Sequence, residues 1–212
     1  MENVKLSRRE LNKLKVIENA LDFFIKYGIE NSKVSDIAEQ AGLTERSAFR
    51  YFNTKADLVL ETALLFWKRL VKAIQKDCYD HLDQTKTGIE KVEFIINDYA
   101  NYCFKYKNQM IFIQEAETYL YRYDKANLIT NKPPFILKDG EGPLAQAILE
   151  GIEDGTIKND VNIKYMYHNV YDSLLGFMQK ISLNESIFDE KEQKIRIELF
   201  INSLIQMFRN NK

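Results

Sequence analysis

Turn-forming residues and cysteines are scarce in this chain: its 212 residues include only 3 Pro, 8 Gly and 2 Cys. So few prolines and glycines disfavour a β fold of many short strands, and the abundant Leu, Ile, Lys, Glu, Ala and Asn favour helices. Cys78 and Cys103 are too few for a disulfide framework and lack the spacing of metal ligands, so we interpret them as buried or incidental thiols. The composition predicts an all-α protein without a metal site or a cofactor.

Long apolar runs are absent as well. No run approaches the roughly 20 residues that span a bilayer, and the polar start MENVKLSRRE lacks the apolar core of a secretory signal. The hydrophobic content of 45% is nevertheless enough for a packed core. We therefore expect a globular, cytoplasmic protein with no membrane partner.

Signatures of catalysis are missing too. The sequence has no metal-binding pair of histidines, no glycine-rich phosphate loop, and no Cys-His or Ser-His-Asp arrangement that its spacing would support. The two histidines, His81 and His168, are interpreted as surface residues or as hydrogen-bonded core residues. The sequence thus predicts that the protein is not an enzyme.

The chain also lacks an excess of charge of either sign. Its formal net charge of -1 gives no indication of a nucleic-acid partner. Between residues 1 and 15, however, only Glu2 and Glu10 oppose five basic side chains, which are Lys5, Arg8, Arg9, Lys13 and Lys15. This basic segment either contacts a polyanion or is a solvated arm, and the sequence leaves both possibilities open.

Helix signals are abundant at the start of the chain. Ser7 and Glu10 have the spacing of a capping box, and the helix that follows should end at Gly28. Residues 34–41 then form one apolar helix face that is closed by Gly42. This second helix is too short to be stable alone, so it must pack on its neighbours.

A third short helix and a long fourth helix follow at once. Thr44 can cap a helix that continues through Phe52, and residues 54–57 form a second capping box that opens a helix reaching about His81. The segment 37–52 is therefore a helix, a short turn containing glycine, and another helix. This is the arrangement of a helix-turn-helix that reads DNA.

Longer periodic segments make up the rest of the chain and predict about nine helices in total. One long loop is expected from Asn127 to Pro143, because three prolines and two glycines fall there. We place a domain boundary between residues 1–56 and 57–212. The later helices are predicted at about 57–82, 88–107, 109–123, 142–154, 162–182 and 189–209.

Two stretches resemble the helix-turn-helix signature of the TetR family of bacterial transcription regulators. They are Val34-Ser35-Asp36-Ile37-Ala38-Glu39-Gln40-Ala41-Gly42-Leu43-Thr44 and Ser47-Ala48-Phe49-Arg50-Tyr51-Phe52-Asn53-Thr54-Lys55. The strong part of the resemblance covers roughly residues 10 to 60. It implies an N-terminal three-helix DNA-binding module followed by a larger helical domain for ligand binding and dimerisation. Residues 150–160 look like the turn before the family's last two helices.

The resemblance also implies which residues approach DNA. Arg50 can pair with a guanine and Phe49 can pack on a thymine methyl group, unless Phe49 and Tyr51 are simply buried aromatics. Ala48 and Phe52 should belong to the core. The candidate DNA-binding residues are Ser35, Thr44, Glu45, Arg46, Ser47, Phe49, Arg50, Tyr51 and Lys55.

Three of these candidates carry specific expectations. Thr44 and Lys55 would contact phosphate at helix N-termini, although Lys55 is alternatively a solvated surface charge. Glu45 would repel phosphate, so it would instead accept a hydrogen bond from a cytosine or pair with Arg46 or another neighbour. The basic segment at the start of the chain would reach the DNA backbone or the minor groove, or remain solvated.

One module reads too few base pairs for specificity, so we expect a homodimer that reads two halves of a palindromic operator. The last two helices carry apolar stripes that suit a dimer interface, although the same side chains can instead fill the core of the monomer. The candidate dimer residues are Val170, Leu174, Phe177, Met178, Ile181, Leu199, Leu204 and Phe208, together with Ile195 and Ile205 on the same stripes.

The middle of the chain is rich in tyrosine, which predicts a cavity for a small, largely apolar or aromatic ligand. The alternative for each aromatic residue is ordinary core packing. By default, ligand binding would release the repressor from DNA. The alternative to a regulator that binds DNA is a protein that keeps the same architecture but acts chiefly through a protein partner. The candidate ligand residues are Trp67, Tyr99, Tyr102, Tyr119, His168 and Tyr171.

Overall fold

A computed structural model describes residues 6–130, 142–160, 162–183 and 187–210. The described residues form ten α-helices and no strand, which confirms the predicted all-α fold. The helices are α1 (Arg8–Tyr27), α2 (Val34–Gln40), α3 (Glu45–Ala48), α4 (Lys55–His81), α5 (Gly88–Lys105), α6 (Lys107–Tyr121), α7 (Ala126–Thr130), α8 (Pro143–Glu153), α9 (Ile163–Leu183) and α10 (Glu190–Phe208).

The chain divides into two compact units. The first unit contains Met1–Arg69 and Ile111–Pro134, and the second contains Leu70–Met110 and Phe135–Lys212. Helices α4 and α6 therefore each contribute residues to both units. The boundary predicted at residue 57 separates a DNA-binding domain from a ligand-binding domain. The division into compact units depends on packing and does not test that boundary, so it stays a prediction.

Local signals explain the helix boundaries of the first unit. The Ser7 hydroxyl accepts a hydrogen bond from the Glu10 N–H while the Glu10 carboxylate accepts from the Ser7 N–H, so the predicted capping box begins α1. Gly28 ends this helix with a φ of 78°, a left-handed conformation that favours glycine. The second predicted box is also confirmed, because Thr54 and Asp57 exchange hydrogen bonds at the start of α4.

The third helix is shorter than the sequence predicts. Thr44 caps it as expected, accepting from the Ser47 N–H, but the α-helix ends at Ala48 rather than at Phe52. Beyond Ala48 the chain continues as hydrogen-bonded turns, in which the Tyr51 N–H and the Phe52 N–H both donate to the Ala48 carbonyl. The Tyr51 bond joins residues three apart, as in a 3₁₀ turn, which is common at the end of an α-helix.

The predicted long loop is only partly tested. Its first residues, up to Thr130, are helical in α7. The Lys125 N–H, just before this helix, donates to the Leu120 carbonyl, and the Lys125 carbonyl accepts from the Leu128 N–H. This corrects the prediction for residues 127–130. The remaining stretch, 131–141, lies outside the described residues.

In the second unit, α5 and α8 run antiparallel and cross closely at two glycines. A Cβ atom on Gly88 would lie 2.0 Å from the Gly151 backbone nitrogen, so only glycine permits this approach. The turn after α8 also caps α5, because the Gly88 N–H donates to the Asp154 carboxylate at 2.7 Å. Helices α9 and α10 complete the unit with buried Val170, Leu174 and Phe208.

None of the helices in the described part of the chain combines the length and apolar character that crossing a membrane requires.

Candidate DNA-binding and ligand-binding sites

The predicted recognition segment divides into a buried face and an exposed face. Ala48 and Phe52 are 0% and 2% exposed, which confirms that they belong to the core. Phe49 is 41% exposed, so it is not a buried aromatic. Tyr51 is half-buried, with its ring 6.3 Å from that of Phe52 in an edge-on contact. The alternative of ordinary aromatic packing is therefore excluded for Phe49 and holds in part for Tyr51.

The polar side chains of this segment face solvent. Thr44, Glu45, Arg46 and Arg50 are exposed, and Ser47 is half-buried with its hydroxyl 2.9 Å from that of Thr44. Within the described part of the chain neither arginine forms an ion pair, and the suggested pairing of Glu45 with Arg46 does not occur. Both guanidinium groups therefore keep their donors available to an external acceptor.

Lys55 and Ser35 are more constrained than the sequence suggests. The Lys55 ammonium donates to the Glu30 carbonyl at 3.2 Å and lies 6.0 Å from the centre of the Tyr119 ring. Burial lowers the pKa of Lys55, against the raising effect of the Glu30 and Glu115 carboxylates. Lys55 is thus a positioned cation rather than a freely solvated one. The Ser35 hydroxyl donates to Asp36 at 3.0 Å.

Residues of α6 and the turn after it support this unit, and no local sequence pattern points to this role. The Glu115 carboxylate accepts from the Ile29 N–H at 2.7 Å, just beyond the end of α1. Phe112 stacks on Phe24 with ring centres 5.8 Å apart. These contacts fix the residues that lead into the helix-turn-helix.

Lys125 and Arg122 add two ion pairs to the same unit. Lys125 pairs with Asp57 at the start of α4, and Arg122 pairs with Glu30 at 3.1 Å. Burial raises the pKa of Asp57, but hydrogen bonds from Lys125 and Thr54 outweigh it and hold the pKa below its usual value. The Asp57 carboxylate therefore both caps α4 and binds the residue that precedes α7.

An apolar pocket lies within the second unit. Its cavity volume is about 40 Å³, and the surface that it exposes is apolar. This is far smaller than the roughly 300–1,000 Å³ of a typical small-molecule site, so a ligand would have to widen the pocket on binding. The residues that line it are Ile74, Gln75, Ile95, Ile96, Tyr99, Gly142, Pro143, Leu144, Tyr167, Val170, Tyr171 and Leu174.

Two of the six predicted ligand residues, Tyr99 and Tyr171, line this pocket. Their ring centres are 4.9 Å apart, and Tyr171 also stacks on Tyr167 at 5.5 Å. Burial raises the pKa of both Tyr99 and Tyr171 well above its usual value, so their hydroxyls stay neutral. Tyr167 also lines the pocket but is not among the candidate ligand residues.

The other four ligand candidates are placed elsewhere. Trp67 and Tyr119 are buried in the first unit, and His168 is exposed on α9. The Tyr102 hydroxyl donates to the Asp77 carboxylate at 2.5 Å, and this hydrogen bond raises the pKa of Tyr102 to about 12. The structure therefore does not support these four as contacts of a ligand in the pocket.

Most of the predicted dimer residues fill the monomer instead. Side chains that are at most 4% exposed cannot form a second interface, and this group comprises Val170, Leu174, Met178, Ile181, Leu204, Ile205 and Phe208. Leu199 and Ile195 remain available, at 64% and 47% exposed. Phe177 is half-buried and stacks on Phe200 with ring centres 4.2 Å apart. The buried group therefore fits the alternative that the sequence leaves open, in which these side chains fill the core of the monomer.

Neither metal ligands nor a reactive thiol emerges from the part of the chain that the structure describes. It contains no cluster of three or more His, Cys, Asp or Glu side chains that could hold a metal ion. Cys103 is fully buried, as predicted, and burial raises the pKa of its thiol to about 12.

Residues 16–62 match the family model described as bacterial regulatory proteins, tetR family. Among curated proteins, the fatty acid metabolism regulator protein of Bacillus subtilis is 23% identical over 177 residues, covering 83% of this chain and 86% of that protein. The transcriptional repressor KstR2 of Mycolicibacterium smegmatis is also 23% identical, over 172 residues, covering 79% and 76% of the two chains.

Solved structures share the fold over nearly the whole chain. The regulator FadR from Bacillus subtilis, in complex with stearoyl-CoA, superposes with a TM-score of 0.67 at 19% identity, covering 92% of this chain and 98% of that one. KstR2 of Mycobacterium tuberculosis, a ketosteroid regulator, gives a TM-score of 0.56 at 16% identity, with coverages of 100% and 98%.

Proposed function

We propose that this chain, whose residues 16–62 match the tetR family model, is a transcription regulator of that family rather than an enzyme, and that it is a repressor that an acyl ligand releases from its operator. The observation that carries the proposal is an exposed reading segment in one unit together with an apolar pocket in the other. The operator is a palindrome that a homodimer reads.

The reading segment has the chemistry that DNA requires. Arg46 and Arg50 are exposed and keep their donors, so either can bind a phosphate or the O6 and N7 atoms of a guanine. Phe49 is exposed where an aromatic side chain can pack on a thymine methyl group. Lys55 is held in place by the Glu30 carbonyl, which suits a contact to backbone phosphate more than a contact to a base.

The chemistry of the pocket favours an apolar ligand, which would have to widen the cavity of about 40 Å³ as it binds. Its aliphatic and tyrosyl lining offers no charged side chain, so a hydrocarbon chain is the chemistry that it would bind best. The Bacillus subtilis relative of similar fold was solved with stearoyl-CoA. A steroid is the second candidate, supported by the Tyr99–Tyr171–Tyr167 cluster and by the likeness to the ketosteroid regulator.

The homodimer would form through the outward faces of α9 and α10. This surface carries large apolar side chains that water would otherwise solvate, and we propose that a second copy of the chain covers it. Two copies are needed to place recognition segments about 34–36 Å apart, the spacing of successive major grooves. The exposed apolar residues of this surface are Tyr165, Leu183, Ile195, Leu199 and Met207.

Helices α4 and α6 offer the route by which the ligand would act. Each is continuous from the second unit into the first, and α6 carries Phe112 and Glu115, which hold the residues before the helix-turn-helix. A ligand that binds one conformer better shifts the population of both units. The coupling is reciprocal and typically worth about 1–3 kcal/mol.

The test is binding of the purified protein to DNA from upstream of its own gene at two salt concentrations, with and without dodecanoyl-CoA. We expect footprinting to show a protected palindrome, and the ligand to reduce the protection. An Arg50→Ala, Tyr51→Ala variant should lose the site, whereas Lys191→Ala, which removes an exposed charge from α10, should keep it. Weaker binding at the higher salt concentration is expected for a complex that neutralises phosphates.

Other results would assign a different role. If the wild-type protein and the Arg50, Tyr51 variant bind the same site equally well, a different surface reads DNA. If neither protein protects any site, a protein partner is the better explanation. Retained protection with dodecanoyl-CoA but release by a steroid would favour the second ligand class.

A further inference from the structure

A second pocket of the second unit has a chemistry that the apolar pocket lacks. Its cavity volume is about 160 Å³, whereas a single water needs only roughly 10–15 Å³, so the space is sufficient for a small organic molecule. Its lining combines an ammonium group, a carboxylate and two amides with three apolar side chains. The residues that line it are Leu82, Gln84, Lys91, Pro143, Gln146, Ala147 and Glu150.

Lys91 places a buried positive charge at this cavity. Its side chain is only 8% exposed, and its ammonium donates to a Glu150 carboxylate oxygen at 2.5 Å and to the Gln84 amide oxygen at 3.5 Å. An ammonium group has three donors. Within the described part of the chain, the third donor of Lys91 therefore has no acceptor.

Two other polar groups of the pocket also keep unused hydrogen-bonding capacity. Glu150 accepts from Lys91 through Oε2, and none of the described residues donates to its Oε1. The Gln146 amide is exposed and forms no hydrogen bond to a described residue. The pocket thus presents a donor on a cation, an acceptor on an anion, and an amide that can act as either.

The balanced charge of the pocket limits what it can hold. An anion would have to compete with Glu150 for Lys91, and a cation would have to compete with Lys91 for Glu150. Either ligand would leave one charge without a counter-charge in a largely buried site, which is costly. A zwitterion adds no net charge, and its two charged groups can pair with Lys91 and Glu150 at the same time.

We infer that the Lys91–Glu150 pocket binds a small zwitterion of the α-amino acid type. The ligand carboxylate accepts from the third donor of Lys91 and from the Gln146 amide, and the ligand ammonium donates to Oε1 of Glu150. An α-amino acid carries both charged groups on neighbouring atoms, as suits a site whose own two charges lie 2.5 Å apart. This ligand is distinct from the proposed acyl compound, and the inference does not rest on that proposal.

The apolar part of the lining specifies the ligand further. Leu82, Pro143 and Ala147 offer a short aliphatic wall and no aromatic ring, which favours a small branched side chain over an aromatic one. Lys91 belongs to α5 and Glu150 to α8, so the bound ligand links these two helices. Because it binds only the folded protein, it should also raise the unfolding temperature.

The experiment compares three compounds that share one branched chain, by calorimetry on the full-length protein. They are L-valine, isovalerate, which lacks the ammonium group, and isobutylamine, which lacks the carboxylate. We expect L-valine to bind at least about tenfold more tightly than either of the others, because each of them loses a charge-assisted hydrogen bond and unbalances the charge of the site.

Variants locate the site and test the roles of its charges. Glu150→Gln should invert the preference, so that isovalerate binds more tightly than L-valine, because Lys91 then lacks its anion. A Lys91→Met, Glu150→Met double variant removes both charges, which buried pairs often tolerate without loss of stability, and should not bind L-valine. Glu153→Gln, an exposed position on α8, should bind L-valine as the wild type does. Near-ultraviolet circular dichroism verifies that each variant is folded.

The outcomes are decisive in either direction. A preference for L-valine that Glu150→Gln inverts would support the site. Equal affinity for the three compounds, no binding of any of them at millimolar concentration, or unchanged L-valine binding by the double variant would overturn it. Uncharged isovaleramide that binds as tightly as L-valine would overturn it as well, because amide hydrogen bonding rather than charge pairing would then select the ligand. None of these results bears on release from the operator by dodecanoyl-CoA, which is measured separately.

Discussion

Replacing Gly88 by alanine should be among the most damaging single changes in the second unit. The added Cβ would lie 2.0 Å from the Gly151 nitrogen, 2.2 Å from its Cα and 2.7 Å from the Ala147 carbonyl oxygen. All three are backbone atoms, so no side-chain rotation relieves the clash. Reaching ordinary contact requires α5 and α8 to separate by more than about 1 Å, and overpacking of this kind costs roughly 1–3 kcal/mol or more.

A second loss adds to the first. Separation of the two helices would also weaken the hydrogen bond from the Gly88 N–H to Asp154, a cap worth about 1 kcal/mol. We therefore expect Gly88→Ala to lower the free energy of unfolding by about 3 kcal/mol, measured by urea titration with circular dichroism. Asp154→Ala removes the cap without adding an atom and should cost only about 1 kcal/mol. A Gly88→Ala protein within about 0.5 kcal/mol of wild type, the effect of an ordinary surface substitution, would refute the close crossing.

Further predictions concern the dimer, the thiol and pH. Leu199→Glu should yield a folded monomer in sedimentation experiments, because Leu199 is exposed on the proposed interface. Leu204→Ala opens a cavity in the core, so it should keep the dimer and cost about 2–5 kcal/mol of stability. A dimeric Leu199→Glu protein together with a monomeric Leu204→Ala protein would reject the proposed interface. Cys103 should react with a thiol reagent only on unfolding, because its pKa is raised to about 12. Because the pKa of Asp57 is lowered on folding, its contribution is present above the unfolded-state value near 4 and is lost as pH falls below it. The unfolding free energy of Asp57→Asn should therefore fall less steeply below pH 4 than that of the wild type, and an unchanged slope would argue against the Lys125 pairing.

The fold and the boundaries of most helices could be predicted because they depend on local chemistry. Ser7, Thr44 and Thr54 cap helices through side chains only three residues away, and this spacing is visible in a sequence. The end of α3 could not be located, because Phe52 continues the apolar pattern although the chain beyond Ala48 has changed to turns. The apolar periodicity of a sequence shows which residues lie on one face of a helix, but it does not show where the backbone hydrogen bonds of that helix end.

The surroundings of the candidate binding residues could be predicted less well than the helices, for a different reason. Hydrophobicity shows that Leu204 and Leu199 both lie on apolar stripes, but only packing reveals that one is 4% and the other 64% exposed. In the same way, Tyr102 and Tyr171 look alike in the sequence, although one is bound to Asp77 and the other lines the pocket. Long-range contacts such as Glu115 to Ile29 join residues 86 positions apart and leave no local pattern.

The contacts of α6 limit how this regulator can be re-engineered. A transplant of residues 1–69 alone onto a foreign sensor would leave the Ile29 N–H without its acceptor Glu115 and the Phe24 ring without Phe112. If the first unit reads DNA as proposed, its portable part is therefore discontinuous, and a chimaera that keeps these two contacts must also carry 111–130.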